Sequence, residues 1–469
     1  MRDVDAVIAG GGPAGCAAAA AMAGLGLSVM LVDAGVDRHK QLAGELLHPS
    51  GVEDLRALRF DAVVDHWVSQ PVRGFAVRFH APRHTVLLPY GRGVTGLSLE
   101  HASLTVPLLE SVASRPGVTL IPKARVTAVE HNDATGVHVR FIHQGTEHTV
   151  RARLLVAADG RASPVRRMLG IPERLHRIST MLGVTVDSDS LPHPGYGHLF
   201  VGGPMHALAY AIQPGVARVM VDLPLGGNVS TLQARPELLG ALPLELRAEV
   251  LRALEATPAP RLASNDDRLS GTVRVGSAVL VGDAAACCHP LTASGMASCF
   301  RDARALQDAL RCHGTDIPLA LEAYARARRP AQRTRVALAS ALYDAFSGQD
   351  EGMRALRRGL VRYWEHSPGG ARTSMSLLAA EEPRMRVMAR EYLRVVGHAL
   401  TSLASPRQRS MPLRSAAPLL RSAGPPLKTA MESAVEQMGA WWHRCVQRPV
   451  YWLAKAGRAV PNRAFASSR

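Results

Sequence analysis

Gly10, Gly12 and Gly15 occur as G-x-G-x-x-G within GGGPAGC, and Asp33 closes the next apolar run, VMLVD. Glycines at this spacing let a backbone approach a pyrophosphate closely. Pro13 and Ala14, between them, open a helix whose free N–H groups and partial positive charge favour the anion. An acid at the end of the following strand stands where a ribose would be held. Two more acid-glycine pairs recur, Asp159-Gly160 in LLVAADGRASPVRRMLG and Gly282-Asp283 in VLVGDAAACCHPLTASGM. Either one alone reads as an ordinary turn. Cys287, Cys288 and His289 stand side by side in the last stretch. Zinc would need further ligands at workable spacing, and a disulfide between adjacent cysteines is strained, so no metal and no redox pair is expected there. Across the chain, six cysteines at 16, 287, 288, 299, 312 and 445 form no CxxC pair.

The elements that must position these residues follow from periodicity. DVDAVIAGGGPAGCAAAAAMAGLGLSVMLVDAG reads as strand, turn, helix, strand, and the apolar runs RLLVAADG and SAVLVGDAA each stop at an acid beside glycine. These are expected to be parallel strands whose carboxyl ends face one ligand. GVHVRFIHQGTEHTVRARLLVAAD alternates like a hairpin, and HALAYAIQPGVARVMVDLP offers two strands around Gln213-Pro214-Gly215. This middle portion is read as a second, antiparallel sheet. From Ile317 to Leu400 the pattern is helical, with breaks expected at Pro330, Pro368-Gly369-Gly370 and Pro383.

The chain has 469 residues, 47% hydrophobic and 20% charged, enough for a large core in more than one domain. Of the net charge of +16, more than half lies beyond residue 400, where eleven Lys or Arg face Glu432 and Glu436. No nucleic-acid-binding motif accompanies that charge, so an anionic membrane surface is the expected partner and nucleic acid is not. Ala6 to Val32 lacks charge but is broken by glycines and Pro13, and neither a membrane span nor a signal peptide is expected. A cytoplasmic, peripherally membrane-associated protein is the resulting expectation. Residues 401–428 read as a linker. From Thr429 to Arg448, Met431, Ala434, Val435, Met438, Trp441, Trp442, Cys445 and Val446 fall on one helical stripe, suited to a lipid interface or to packing on the protein's own surface.

The three glycine motifs together resemble the FAD-dependent aromatic-hydroxylase superfamily over most of residues 1–335. More narrowly, HPLTASGM, AGELLHPSG (43–51), LLPYG (87–91) and LASALYDAFSGQDEGMRALRRGLVRYW (338–364) resemble squalene monooxygenase. The resemblance implies an α/β chain with a Rossmann-like FAD-binding domain, an interleaved antiparallel-sheet substrate domain and a C-terminal helical region. Its expected bounds are 1–335 with the substrate domain at about 60–95 and 172–270, then 336–400, then the basic tail 401–469. It implies FAD held by Gly10, Gly12, Pro13, Ala14, Gly15, Asp33, Glu45, Asp159, Gly160, Gly282, Asp283, Pro290, Gly295 and Met296, with Cys287, Cys288 and His289 on a cofactor loop. The helix from about Gly295 would point its N-terminus at the flavin ring, and Tyr90 would stand in the substrate cavity as the catalytic residue. Two family arginines are absent: Gln41 occupies one position, with Arg38 nearby, and His101 and Ser103 align with the other.

The implied reaction transfers one oxygen atom from O₂, through a C4a-hydroperoxyflavin, to squalene or a related polyene in a deep apolar cavity between the FAD sheet and the second sheet. NADPH would supply electrons directly or through a separate reductase, since no second nucleotide fingerprint is evident. Three alternatives stay open: oxygenation of a lipophilic aromatic of quinolone or quinone type, a geranylgeranyl-reductase-like saturase, and a degenerate flavin fold without activity.

Overall fold

A computed structural model describes residues 2–35, 42–80, 83–91, 93–257, 260–314 and 316–403. Gln41, Arg38, and the tail with its linker and amphipathic stripe lie outside these described residues. No helix among the described residues is long and apolar enough to cross a membrane.

The apolar runs form the centre of the first sheet. Ala278–Leu280, Thr146–Ala157, Arg2–Ala9, Val29–Asp33 and Val118–Pro122 lie side by side in that order, all parallel. Buried on both faces, such strands are apolar throughout, as Ala6 to Ala9 and Leu154 to Ala157 are. Ala9 is level with Val32 and with Ala157, and Ala157 with Leu280, so the turns after these residues open along one edge of the sheet. The alanine-rich helix Pro13–Ala23 packs beside the helix Gly295–His313, where Gln307 Nε2 donates to the Ala21 carbonyl at 3.0 Å. Small side chains permit that approach.

The hairpin in residues 136–159 forms, with Val137–His143 antiparallel to Thr146–Ala157, but it belongs to the first sheet and not to the second. Thr146–Ala157 is one strand of twelve residues whose later half is the parallel neighbour of Arg2–Ala9. Alternation reports a half-exposed strand and does not say which sheet it joins.

The second sheet runs Ala286–Cys287, Arg261–Ser270, Glu173–Asp187, Val216–Pro224, Ala207–Gln213, Gly197–Val201, Gly74–Phe79, His84–Pro89. Every pairing is antiparallel except Gly197–Val201 with Gly74–Phe79. The turn at Gln213-Pro214-Gly215 is present. One face of this sheet packs on the C-terminal helices and the other on the helix Leu244–Ala256.

The C-terminal region is Ile317–Ser347, Glu351–His366, Pro368–Leu378 and Met385–Leu403. Breaks occur at Pro368 and around Pro383, but Pro330 lies inside the 31-residue helix Ile317–Ser347 without ending it. A proline inside a helix removes one backbone bond. Here Arg328 and Gln332, on either side of it, are both fixed to the buried Asp302, which holds the helix together across the missing bond.

Candidate active site

Two of the three glycines in the first motif are required by the protein's own packing. A Cβ on Gly10, at φ +103°, would lie 2.5 Å from the Ala158 carbonyl oxygen, and one on Gly15 would lie 1.8 Å from that of Gly10. At Gly12 nothing lies within 4 Å, and Gly12 is the N-cap of Pro13–Ala23 with no side-chain cap. The second glycine therefore leaves an open cradle at a helix N-terminus, which suits a phosphate group. Asp33 is held at this turn by the Gly11 N–H, which donates to Oδ1 at 3.2 Å.

The third motif is built against the first. Gly282 sits so close to Ala14 that a Cβ there would be 2.7 Å from the Ala14 Cβ. Its N–H donates to Asp302 Oδ2 at 2.8 Å, and Asp302 Oδ1 accepts from Arg328 Nε at 2.6 Å. Asp283 accepts no hydrogen bond from any described residue; burial raises its pKa against the pull of Arg335 and Arg161. An unpartnered carboxylate beside an open glycine cradle fits a ligand rich in hydroxyls. Asp283→Ala is expected to weaken FAD binding by about 1 to 3 kcal/mol, the cost of leaving a buried polar group unmet. Titration of apoprotein with FAD, followed by flavin fluorescence, would measure it, and unchanged affinity would remove Asp283 from the site.

Asp159 is placed differently. Its Oδ1 accepts from Ser163 Oγ at 2.5 Å and its Oδ2 from the Val165 N–H at 2.9 Å, so the carboxylate caps the short helix Pro164–Met168. Gly160 takes φ +81° in that turn. Arg166, 1% exposed, joins this turn to the third motif by donating to the Ala284 carbonyl at 2.9 Å and to Glu173 at 2.6 Å.

Cys287 is buried and Cys288 half-buried. Burial raises both thiols, Cys288 to about 11, which keeps them protonated at neutral pH. Arg335 Nη2 donates to the Ala286 carbonyl at 2.6 Å and Nη1 to Cys288 Sγ at 3.3 Å. Pro290 begins a tight turn, Pro290–Thr292, and Gly295 begins the following helix. Met296 packs on Gly44, whose carbonyl accepts from His101 Nδ1 at 2.9 Å.

Tyr90 is buried, and its hydroxyl lies 2.6 Å from His48 Nδ1. His48 Nε2 lies 2.8 Å from the Thr292 carbonyl oxygen, which can only accept. The proton is therefore on Nε2, and Nδ1 accepts the Tyr90 hydrogen. The remaining lone pairs of the Tyr90 oxygen are left for another donor. Glu45 is 1% exposed and turned to the second sheet, where Arg218 donates to it through Nε at 3.0 Å and Nη2 at 2.9 Å, and Tyr210 Oη lies 3.5 Å away.

The structure thus gathers Gly10, Gly12, Pro13, Ala14, Gly15, Asp33, Gly282 and Asp283, and links Tyr90 to the loop carrying Pro290. Sequence reasoning misses His48, Arg166, Arg218, Asp302 and Arg335. Arg166 has a readable signal in the spacing D-G-x-x-S-x-x-R from Asp159, and His48 lies within the quoted segment AGELLHPSG.

A cavity with about 780 Å³ of space, part of it open to solvent, has Leu291 of the turn Pro290–Thr292 in its wall. It lies between the second sheet, at Val77 and Leu199, and the C-terminal helices, at Phe346, Leu360 and Trp364 among others. From the sequence, an apolar cavity is expected between the FAD sheet and the second sheet, with Tyr90 in it; this cavity lies instead on the side of the second sheet covered by the C-terminal helices, and Tyr90 is not among its lining residues. Because the C-terminal helices cover the second sheet, they supply most of its wall.

The family model described as FAD binding domain matches residues 3–339. A squalene epoxidase of Arabidopsis thaliana is 27% identical over 427 residues, 86% of this chain and 80% of that protein. One of Aspergillus fumigatus is 29% identical over 387 residues, 77% and 79% of the two chains. Among solved structures, p-nitrophenol 4-monooxygenase from Pseudomonas putida superposes with a TM-score of 0.66 at 19% identity, over 81% of this chain and 98% of that one.

Proposed function

Since the chain belongs to the FAD binding domain family, we propose that it is a monooxygenase that inserts one oxygen atom of O₂ into a lipophilic substrate, most simply by epoxidising squalene or a related polyene. The observation that supports this reading is the cavity, which has Leu291 of the turn Pro290–Thr292 in its wall and is lined almost wholly by aliphatic and aromatic side chains. Such a wall binds by burial of apolar surface and keeps water out. When bound, FAD supplies the activation of O₂. The chain would supply the rest. Gly12 and the first helix would hold the pyrophosphate, and Asp33 and Asp283 would accept from hydroxyl groups. Tyr90, with its hydrogen committed to His48, would offer a fixed acceptor near the ring, and the N-terminus of Gly295–His313 would favour negative charge on it. NADPH, directly or through a reductase, is proposed as the electron source.

A second reading, oxygenation of an aromatic bearing a polar group, draws on Ser374, Glu391 and Tyr392, which interrupt the apolar wall. Both readings meet one test. Chemically reduced, FAD-loaded protein is mixed with squalene, or with a lipophilic quinolone, under ¹⁸O₂, and products are weighed. One ¹⁸O in squalene is the expected result; ¹⁸O in the quinolone alone favours the second reading, and two added hydrogens without oxygen would overturn both.

A further inference from the structure

Asp222, His206 and His289 form a buried cluster with no part in the chemistry above. Asp222 Oδ1 accepts from Ser179 Oγ at 2.5 Å, Asn265 Nδ2 at 2.8 Å and His289 Nε2 at 3.1 Å, while His206 Nε2 lies 3.0 Å from Oδ2. The Tyr343 ring covers both imidazoles, with centroids 4.8 Å from His289 and 5.2 Å from His206. Two histidines and a carboxylate whose ligand atoms lie within 4.8 Å of one another would serve a metal. The tautomer of His289 argues against that. Its Nδ1 accepts the Leu291 N–H at 3.3 Å and so carries no proton, whereas an imidazole bound to metal through Nε2 keeps its proton on Nδ1 and donates it.

What His289 does instead is visible in its bonds. It is the N-cap of the turn Pro290–Thr292, where its ring takes the place usually filled by an Asn or Ser side chain, and its own N–H donates to Asp267 Oδ1 at 3.1 Å. The carbonyl at the end of that turn is the Thr292 oxygen that receives the proton of His48. A continuous set of contacts therefore runs from Asp222 to His289, through the capped turn to Thr292, and on to His48 and Tyr90.

We propose that His289 is a positioning residue for Tyr90: held in its Nε2–H tautomer by Asp222, it caps the turn that presents Thr292 to His48, and so fixes which way the Tyr90 hydroxyl points. The proposal rests on the reading of Tyr90 as a residue of the reaction site, but its test does not depend on turnover.

The test reads the tautomer of His48 by long-range ¹H–¹⁵N spectra of full-length, FAD-loaded protein labelled in histidine, with the signal assigned by its disappearance in His48→Gln. In the native protein one tautomer is expected, with the proton on Nε2. His289→Leu fills the space but cannot cap, and should replace that signature with an average of both tautomers. His289→Asn restores a capping oxygen without the ring and should restore the single tautomer. Asp222→Asn, nearly isosteric, is the second route to the loss if His289→Leu does not fold. An unaltered His48 signal in folded His289→Leu or Asp222→Asn would overturn the proposal, as would a signature lost as fully in His289→Asn as in His289→Leu. Absence of oxygen transfer to any lipid, with these shifts as expected, would count against the proposed function and leave the positioning role intact.

Discussion

Arg218→Met is expected to lower folding stability by about 3 to 5 kcal/mol, because it strands the Glu45 carboxylate in the interior with its main partner gone. Arg218 and Glu45 are both almost fully buried, and the guanidinium meets both carboxylate oxygens. Burial works against the Arg218 charge, yet Glu45 holds its pKa above the ordinary value. Removing both charges should cost far less than removing one, since an apolar or neutral pair of similar volume avoids the desolvation that the ion pair must offset. Combining Arg218→Met with Glu45→Gln should therefore recover most of the loss, with the new side-chain amide still within reach of Tyr210. Urea midpoints of the native protein, the single and the double variant would measure this. Equal midpoints for single and double variants would mean that Glu45 finds another partner.

Acid should weaken the fold across the histidine range, as pH falls from 6.5 toward 4. Burial pushes His48 down to about 4 from 6.5, against the pull of the Thr292 carbonyl. Between those values the unfolded chain takes up a proton that the folded chain refuses. The stability linked to His48 is complete above pH 6.5 and is lost as pH falls toward 4. A shift of that size corresponds to about 3 kcal/mol. His198, also pushed to about 4 by burial, acts in the same direction. Asp222 does not contribute in this window: against the cost of its burial, His206 and His289 hold its carboxyl well below 3.8, so its stabilisation is lost only at lower pH. Denaturation series at about pH 7 and about pH 4.5 should show a smaller drop for His48→Gln than for the native protein, with the share due to His198 remaining. A drop of the same size in both would locate the acid sensitivity elsewhere.

The parts of this site that can be read in the sequence are those made of neighbours. Gly10, Gly12, Gly15 and Asp33 lie within one strand-turn-helix-strand unit, where spacing and hydrophobic period carry the geometry. The parallel strands that end just before Asp159 and Gly282 are legible because strands buried on both faces are apolar without alternation. The hairpin in 136–159 goes to the wrong sheet when read from sequence, because alternation says how exposed a strand is and not what lies beside it. Pro330 reads as a break because the contacts that hold its helix come from Asp302, outside the local pattern. His48 and Tyr90 are 42 residues apart, Glu45 and Arg218 173 apart, and His48 and Thr292 244 apart. No local rule pairs such residues. Family likeness singles out Glu45, but only the fold shows that its carboxylate is occupied by Arg218.

The helix Ile317–Ser347 touches both ends of the proposed reaction path. Arg328 and Gln332 grip the carboxylate that holds Gly282, and Leu338, Ala341, Leu342, Ala345 and Phe346 line the cavity. Because a helix advances about 1.5 Å and turns about 100° per residue, the run from 332 to 338 works as a ruler with one setting. Adding or deleting one residue there would swing the wall of the cavity to another face while the cofactor end stayed fixed. If the substrate is the long polyene proposed above, that count would set which part of it reaches Leu291.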